Sequence, residues 1–216
     1  MTRFAAFAGK PQLVVICGPT AAGKTALALE LATRFNIEVI SADSRQVYRG
    51  MDIGTAKPSR EELSRLRHHL VDVVDPDEEF TAADFAERGR CLASDIVERD
   101  CLPLVVGGTG LYIRALTDGL LAAPGGDAVL RHELWQLEQL QGEGALYRLL
   151  QSRDPGMAAT IHPRNRVRII RALEVLALTG RRLSELQAAH AFADRPYTTL
   201  KIGLSPDRDE LYRRID

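Results

Sequence analysis

Cysteine is scarce in this sequence, and long hydrophobic runs are missing. The 216 residues include 3 cysteines, at positions 17, 91 and 101, with no Cys-x-x-Cys spacing. This argues against a disulfide framework and against a thiolate metal site. No apolar run approaches the roughly 20 residues that span a bilayer, and residues 1–7 are too short a segment for a secretory signal. The sequence therefore predicts a cytoplasmic protein without a membrane segment.

A strong charge of one sign is also missing. The formal net charge is −1, with 26% charged and 45% hydrophobic residues. This composition is typical of a soluble globular protein with one large domain, or with one domain and an insertion. The total charge does not indicate a nucleic-acid partner, so such a partner would have to meet a local cluster of Lys and Arg.

One stretch has the spacing Gly-x-x-x-x-Gly-Lys-Thr. It consists of Gly18, Pro19, Thr20, Ala21, Ala22, Gly23, Lys24 and Thr25. A buried strand is predicted before it, over residues 12–17, and a helix after it, from Lys24 to about Phe35, which is the context of a phosphate-binding loop. Backbone N–H groups and the helix N-terminus attract phosphate oxygens, Lys24 adds a positive charge, and the Thr25 hydroxyl is placed for a phosphate-bound Mg²⁺. The motif predicts binding of a di- or triphosphate group without indicating what carries it.

Two further loops are expected beside this phosphate-binding loop. Residues 38–43 are predicted as a strand that ends in Asp43, and residues 103–106 as a strand that ends in a glycine loop around Thr109. In a parallel α/β sheet these carboxyl ends share the edge where ligands bind. Asp43 has two possible functions, to assist Mg²⁺ or to accept a proton from a nucleophile, besides a plain turn role. Thr109 is either a substrate contact or an ordinary loop hydroxyl.

Other elements complete the predicted first domain. A polar helix is expected over residues 60–67, a strand over residues 70–74, and a helix from Thr81 to about residue 100, with Thr81 and Asp84 as a variant capping box. His68 and His69 are interpreted as neighbours on a helix, where successive side chains point about 100° apart. A metal ion shared by the two histidines is therefore not predicted.

The chain changes character after residue 119. We predict a phosphate-loop α/β core over residues 1–120, a parallel sheet of the P-loop NTPase type flanked by helices, then an all-helical insertion over residues 121–196 and a return to the core over residues 197–216. A helix over residues 164–178 is expected to bury Ile169, Ile170, Leu173, Leu176 and Ala177 on one side. Arg164, Arg168 and Arg171 project on the other side, either as a solvated face or as a surface for nucleic-acid phosphates.

Three segments together resemble bacterial tRNA dimethylallyltransferases, the isopentenyl-transferring enzymes that modify tRNA. They are the phosphate-binding loop 18–25, the long motif 41–58 and the segment 106–112, and residues 171–175 also match. Ala22 stands where the family often has serine, and its methyl group leaves the backbone cradle intact. Family members extend further, with a basic helical stretch, so the chain resembles a C-terminally truncated form.

The resemblance implies transfer of a dimethylallyl group from its diphosphate to N6 of the adenine at position 37 of tRNA, next to the anticodon, with release of diphosphate. It implies Mg²⁺ held by Thr25, a diphosphate bound by residues 18–25, and Asp43, Lys24 and Thr109 as catalytic residues. The implied tRNA contacts are Asp43, Ser44, Arg45, Gln46, Thr109, Arg131, Val167, Arg168, Ile169, Ile170 and Arg171. The implied partners are dimethylallyl diphosphate and the anticodon stem-loop of tRNA, which the helical insertion would bind, and a monomer is expected.

Three alternatives stay open from the residues alone. An isopentenyltransferase acting on free adenine nucleotides would not need an arginine-faced helical insertion. A small-molecule kinase shares the loop and the sheet but would turn over the γ-phosphate of ATP. A nucleotide-gated binding module would bind nucleotide without turnover.

Overall fold

The computed structural model describes residues 12–121, 123–191 and 193–215. The chain divides into two compact units, one formed by Met1–Leu120 with Ala193–Asp216 and the other by Leu121–Phe192. The sequence-based division places the return to the core at residue 197, and the division in the structure lies at residue 193. The expectation about residues 1–7 falls outside the described residues.

A parallel sheet forms the centre of the first unit. Its five strands are β1 (Gln12–Cys17), β2 (Ile37–Ser41), β3 (His68–His69), β4 (Leu102–Gly107) and β5 (Thr198–Gly203), in the spatial order β3-β2-β4-β1-β5. Every strand pair is parallel. The predicted parallel sheet is confirmed, and the carboxyl ends of its strands lie along one edge.

Helices cover both faces of this sheet. They are α1 (Lys24–Ala32), α3 (Ala82–Glu98) and α4 (Gly110–Asp118), while the short helix α2 (Arg60–Arg65) buries none of its residues. Val15 of β1 packs in one core cluster with Phe85 of α3 and Leu116 of α4, whereas the next residue, Ile16, packs in another cluster with Ala28 of α1. Since side chains alternate along a strand, a strand covered on both faces is apolar at nearly every position, as β1 and β4 are.

All the regular secondary structure in the described residues of the second unit is helical. The helices are α5 (Ala128–Gln141), α6 (Ala145–Arg153), α7 (Pro155–Ala158), α8 (Arg166–Thr179) and α9 (Leu183–His190). Leu134, Leu146, Ile169 and Leu173 belong to its core cluster. The first unit ends with α10 (Arg208–Ile215). No helix within the described ranges combines the length and the apolar character needed to cross a bilayer.

Of two predictions about secondary structure in this region, the cap of α3 is confirmed and the strand expected before α3 is not. Thr81 caps α3 as expected, because its hydroxyl accepts a bond from the Asp84 N–H and Asp84 accepts one from the Thr81 N–H. The predicted strand over residues 70–74 is wrong. Leu70 and Asp72 have φ angles of 60° and 55°, in the left-handed region that an extended strand does not contain, and Val74 makes only an isolated bridge.

The interpretation of the two histidines as helical is also wrong. His68 and His69 form strand β3, which pairs with Val39 and Ile40 of β2. The polar helix α2 ends at Arg65 because the following Leu66 is extended, with φ −143° and ψ 125°. Successive residues of a strand point to opposite faces, so His68 and His69 diverge by more than a helix would impose.

A buried carboxylate connects β2 with its neighbours. Glu38 is only 10% exposed at its side chain. Its two oxygens accept hydrogen bonds from Arg99 at 3.1 and 2.8 Å, and His69 Nε2 lies 2.6 Å from Oε2. The bonds from Arg99, joined by His69 and opposed by burial, lower the pKa of Glu38 from 4.5 to about 2.

We expect Glu38→Gln to lower the free energy of unfolding near neutral pH by about 1–3 kcal/mol, the usual cost of unpaired buried hydrogen-bonding groups. Because the pKa of Glu38 is lower in the folded chain than in the unfolded chain, its stabilisation is complete above pH 4.5 and is lost as the pH falls toward about 2. Denaturant titrations at decreasing pH should show the difference between parent and variant shrinking. Glu87→Gln, at an exposed position of α3, is the control. A difference that stays constant with pH would contradict this account.

Candidate active site and nucleic-acid interface

The phosphate-binding loop joins β1 to α1. Ala21 and Gly23 have φ angles of 62° and 88°, and this left-handed backbone curves the loop. Gly23 is the N-cap of α1 and supplies no side-chain hydrogen bond to the helix. The first N–H groups of α1 are therefore left for a ligand, and the helix dipole favours an anion there.

Lys24 is held inside the curve of this loop. Its Nζ donates hydrogen bonds to the carbonyl oxygens of Gly18 at 3.0 Å and Pro19 at 2.6 Å. Burial lowers the pKa of Lys24, and the negative charge of Asp43 opposes that shift. The ammonium group is thus positioned within electrostatic range of Asp43.

A cavity of about 330 Å³ lies beside the loop. The three predicted loops all contribute to its walls, together with residues that we did not predict. The lining residues are Thr20, Ala21, Ala22, Gly23, Lys24, Thr25, Ala26, Val39, Ser41, Asp43, Gln46, Thr55, Ala56, Pro58, His68, Val106, Gly107 and Arg214. The carboxyl edge of the sheet therefore brings Lys24, Thr25 and Asp43 to one cavity.

Asp43 has a turn role and a place in the cavity wall at the same time. Its Oδ1 accepts hydrogen bonds from the backbone N–H groups of Arg45 at 2.8 Å and Gln46 at 3.3 Å. This is an Asx-type turn, which fixes the direction of the carboxylate. Because Oδ1 makes both of these bonds, Asp43 can stabilise the turn and still accept a proton at its other carboxylate oxygen.

Thr109 connects the Asp43 loop to the end of β4. Its Oγ1 accepts a hydrogen bond from the Ser44 N–H at 3.0 Å, and its own N–H donates to the Ala42 oxygen at 3.1 Å. Thr109 is not among the residues that line the cavity. Its contacts support a role in holding the loop, and its assignment as a catalytic residue stays a prediction.

Gln46 and Lys57 hold the segment that follows the Asp43 loop. Gln46 Nε2 donates to the oxygens of Thr55 at 3.2 Å and Ala56 at 2.8 Å. Lys57 Nζ lies 2.6 Å from carboxylate oxygens of both Asp52 and Asp72. Burial would lower the pKa of Lys57, but the bonds to these two carboxylates raise it above the usual value. Of the predicted tRNA contacts in this loop, Gln46 is engaged within the protein, Ser44 is half-buried and Arg45 is exposed.

Sequence reasoning missed several members of this site. Thr55, Ala56 and Pro58 belong to the long motif that carried the family resemblance, and that membership was the available signal. His68 was considered only as a metal ligand. It lines the cavity, and burial lowers its pKa despite a bond with the Leu66 oxygen. No sequence pattern pointed to Arg214, which lines the cavity and donates to the Ala21 oxygen at 3.0 Å.

The predicted tRNA contacts of α8 divide by burial. Val167 and Arg168 are exposed, but Ile169 and Ile170 are only 1% and 4% exposed. Their side chains belong to the core of the second unit, as the apolar pattern predicts, so a tRNA contact at these two positions would use the backbone and stays a prediction. The predicted apolar face is wrong at its end, where Leu176 is half-buried and Ala177 is exposed. The buried positions there are Ala172, Glu174 and Val175.

A buried carboxylate explains this shift of the buried face. Glu174 is fully buried and accepts hydrogen bonds from Arg131 Nε at 2.7 Å and Arg171 Nη1 at 2.6 Å. The prediction that Arg171 projects with Arg164 and Arg168 needs a correction, because its guanidinium is bonded to Glu174 and its side chain is only 34% exposed. Arg164 lies in the turn before α8, and Arg164 and Arg168 are exposed.

The cavity fits a magnesium ion that also binds phosphate. Within the described ranges, no group of three or more His, Cys, Asp or Glu side chains is arranged to hold a metal. Thr25, which has a hydroxyl group, and Asp43, which has a carboxylate, both line the cavity. Mg²⁺ commonly takes one or two protein oxygens and completes its shell with waters and substrate phosphates.

Comparison with known proteins identifies a family. The model of the IPP transferase family matches residues 46–216. The chain is 58% identical over 207 residues to tRNA dimethylallyltransferase 1 from Syntrophotalea carbinolica, covering 96% of this chain and 66% of that protein. It is 57% identical over 209 residues to tRNA dimethylallyltransferase from Geobacter metallireducens, covering 96% of this chain and 67% of that protein. The chain thus spans about two thirds of the length of these curated relatives.

Solved structures agree with this result. Full-length tRNA isopentenylpyrophosphate transferase from Bacillus halodurans is 47% identical with a TM-score of 0.61, covering 95% of this chain and 63% of that one. A eukaryotic dimethylallyltransferase acting on tRNA is 29% identical with a TM-score of 0.78, covering 94% of this chain and 50% of that one.

Gly107 should be sensitive to any added side chain. A Cβ at this position would lie 2.1 Å from the Ala42 oxygen, whereas a Cβ at Gly110 would meet nothing within 4 Å. We expect Gly107→Ala to reduce the free energy of unfolding by about 1–3 kcal/mol, since the neighbouring atom is backbone and must move. Gly110→Ala is the matched control, and denaturant unfolding measures both. Equal stability of the two variants would show that the ends of β2 and β4 are not closely packed.

Proposed function

Since the chain belongs to the IPP transferase family, we propose that it transfers a dimethylallyl group from dimethylallyl diphosphate to N6 of the adenine at position 37 of tRNA. The observation that carries the proposal is the single cavity lined by both the phosphate-binding loop and Asp43. The reaction needs positive groups that bind the departing diphosphate, which the loop would supply, and a base that accepts the proton of the nucleophile, which Asp43 would supply. The monomeric state and the cytoplasmic location remain predictions from the sequence.

The phosphate-binding loop would hold the diphosphate. Breaking the allylic C1–O bond leaves negative charge on the departing oxygens, and preorganised donors stabilise such charge best. The donors here are the N–H groups at the start of α1, the Lys24 ammonium and the Arg214 guanidinium, all at the cavity. Mg²⁺ held by Thr25 would neutralise further charge on the diphosphate.

Asp43 would act on the nucleophile. N6 of adenine forms the new bond to C1 as the C1–O bond breaks, and one N6 proton then passes to the Asp43 carboxylate. The turn that fixes Oδ1 orients this carboxylate before the base arrives. The adenine has to leave its stack to enter the cavity, as in other enzymes that modify bases.

One labelling experiment tests the reaction and its acceptor. The chain is incubated with radiolabelled dimethylallyl diphosphate, Mg²⁺ and either tRNA, AMP or buffer. We expect label on tRNA alone. Label on AMP and not on tRNA would instead identify an isopentenyltransferase of free nucleotides, and phosphate release from ATP without labelling would indicate a kinase.

Lys24→Ala should reduce turnover by about 10²–10³-fold, the usual effect of losing one donor to a developing anion. The fold should persist, since the side chain bonds only to loop carbonyls. Arg34→Ala is the control, because Arg34 is 72% exposed and pairs with exposed Glu30. Near-normal turnover of Lys24→Ala would remove the loop from the mechanism.

Asp43→Asn separates the proton acceptor from the turn. The asparagine oxygen can still accept the bonds from Arg45 and Gln46, so the loop should keep its shape. We expect kcat to fall by about 10²–10⁴-fold, the usual contribution of a general base, with KM for dimethylallyl diphosphate little changed. An unchanged kcat would exclude Asp43 as the base.

A further inference from the structure

Glu174 stands out in the second unit as a buried charge that the proposed reaction does not use. Its side chain is 0% exposed. Oε1 accepts bonds from the Asp127 N–H at 2.8 Å and from Arg131 Nε at 2.7 Å, while Oε2 accepts from Arg131 Nη2 at 3.3 Å and Arg171 Nη1 at 2.6 Å. A carboxylate is tolerated at such a depth only with this degree of pairing.

The two arginines are less buried than the carboxylate they share. The side chains of Arg131 and Arg171 are 44% and 34% exposed. Arg171 is held from a second direction, because its Nη2 donates to the Pro124 oxygen at 2.8 Å. The two guanidinium groups therefore share one carboxylate, and each keeps part of its surface open to solvent. Guanidinium groups fixed in this way lose little side-chain entropy when an anion binds.

Backbone packing also shapes this pair. A Cβ at Gly126 would lie 2.3 Å from Arg131 Nη2 and 2.5 Å from its Cζ, whereas a Cβ at Gly125 would meet nothing within 4 Å. The Arg131 guanidinium therefore lies directly on the chain at residue 126. The position of Arg131 depends on both the Glu174 carboxylate and the missing side chain of Gly126.

We infer that Glu174 is a positioning residue for RNA binding: it orients Arg131 and Arg171 as a paired site for a backbone phosphate of the tRNA anticodon arm. The inference rests on the proposed function for the identity of the RNA. Glu174 does not touch the RNA itself. Fixed guanidinium groups suit phosphate because they present planar, paired donors.

Replacing Glu174 with glutamine tests this inference, because a simple charge effect and a positioning effect predict opposite changes in RNA affinity. Glu174→Gln removes a negative charge, so a simple charge effect would tighten RNA binding. If Glu174 acts by positioning, the same change should weaken RNA binding, because the amide offers one acceptor oxygen in place of two and its NH₂ group repels one arginine. We expect the dissociation constant for an anticodon stem-loop hairpin, measured by fluorescence anisotropy, to rise about tenfold.

The control is Asp154, a buried carboxylate that caps α7. Asp154 is 0% exposed, and its oxygens accept the Met157 and Ser184 N–H groups at 3.0 Å. Asp154→Asn should lower the melting temperature without weakening RNA binding. In a chain that already carries Arg131→Ala and Arg171→Ala, Glu174→Gln should weaken RNA binding no further. The variant with the two arginine substitutions alone should reduce the slope of log K against log salt by about 0.7–0.9 for each lost phosphate contact.

A second pair of variants leaves Glu174 intact in case Glu174→Gln does not fold. Gly126→Ala displaces the Arg131 guanidinium, and its neighbour Gly125→Ala is the control. We expect Gly126→Ala to weaken hairpin binding as much as Arg131→Ala does, and Gly125→Ala to bind as the parent does. Parent-like binding by Gly126→Ala, or unchanged or tighter binding by folded Glu174→Gln, would overturn the inference.

The outcomes also separate this inference from the proposed reaction. A parent chain that binds the hairpin in the expected manner but transfers no dimethylallyl group leaves the positioning role of Glu174 standing. A chain that labels tRNA, with hairpin affinity insensitive to Glu174 and Gly126, overturns only the inference. A parent chain that does not bind the hairpin overturns the inference together with the choice of tRNA as the acceptor.

Discussion

The close approach of β2 and β4 at their carboxyl ends is the constraint on which the candidate active site depends. The Ala42 N–H donates to the Val106 oxygen at 2.8 Å, and the Ala42 oxygen accepts the Thr109 N–H at 3.1 Å. Only a residue without a Cβ fits at position 107, because backbone occupies the space. The chain after β2 has to turn at once, and the Asx turn of Asp43 makes that turn. Backbone geometry therefore places Asp43 in the wall of the cavity that the phosphate-binding loop also lines.

The phosphate-binding loop contributes the complementary charge. Its positive groups come from the backbone at the start of α1 and from Lys24, which the carbonyl oxygens of Gly18 and Pro19 hold in place. Donors fixed in this way need no reorganisation when charge develops on a leaving group, and this is the main source of electrostatic catalysis. The cavity thus joins a rigid anion-binding wall to a rigid carboxylate.

Buried carboxylates organise both units by a common principle. Glu38 holds Arg99 and His69 beside the sheet, and Glu174 holds Arg131 and Arg171 in the helical unit. Several hydrogen bonds offset the cost of burying each carboxylate, and each carboxylate fixes partners that would otherwise move freely. Glu38 shares its oxygens between one arginine and a histidine, whereas Glu174 holds two arginines, and this pair of guanidinium groups is the basis of the proposed phosphate site.

Local patterns were sufficient for the phosphate-binding loop, the α3 cap and the parallel strands, because each depends on neighbouring residues or on a simple alternation of apolar side chains. The same patterns placed Asp43 and Thr109 at one edge of the sheet. They failed over residues 70–74, where a strand-like composition is overridden by left-handed backbone at Leu70 and Asp72. They also failed at Arg171, since helical periodicity shows which residues share a face but not which face has a buried acid.

By itself the sequence determined the order of most elements, the phosphate-binding loop motif and the family resemblance, since short-range spacing carries all three. The tertiary structure alone decided that Arg214 and His68 reach the cavity, and that on α8 Glu174 is buried while Ala177 is exposed. It also decided that two arginines share Glu174. These outcomes depend on contacts between residues far apart in the chain, whose free energies come from burial and pairing that no local pattern records.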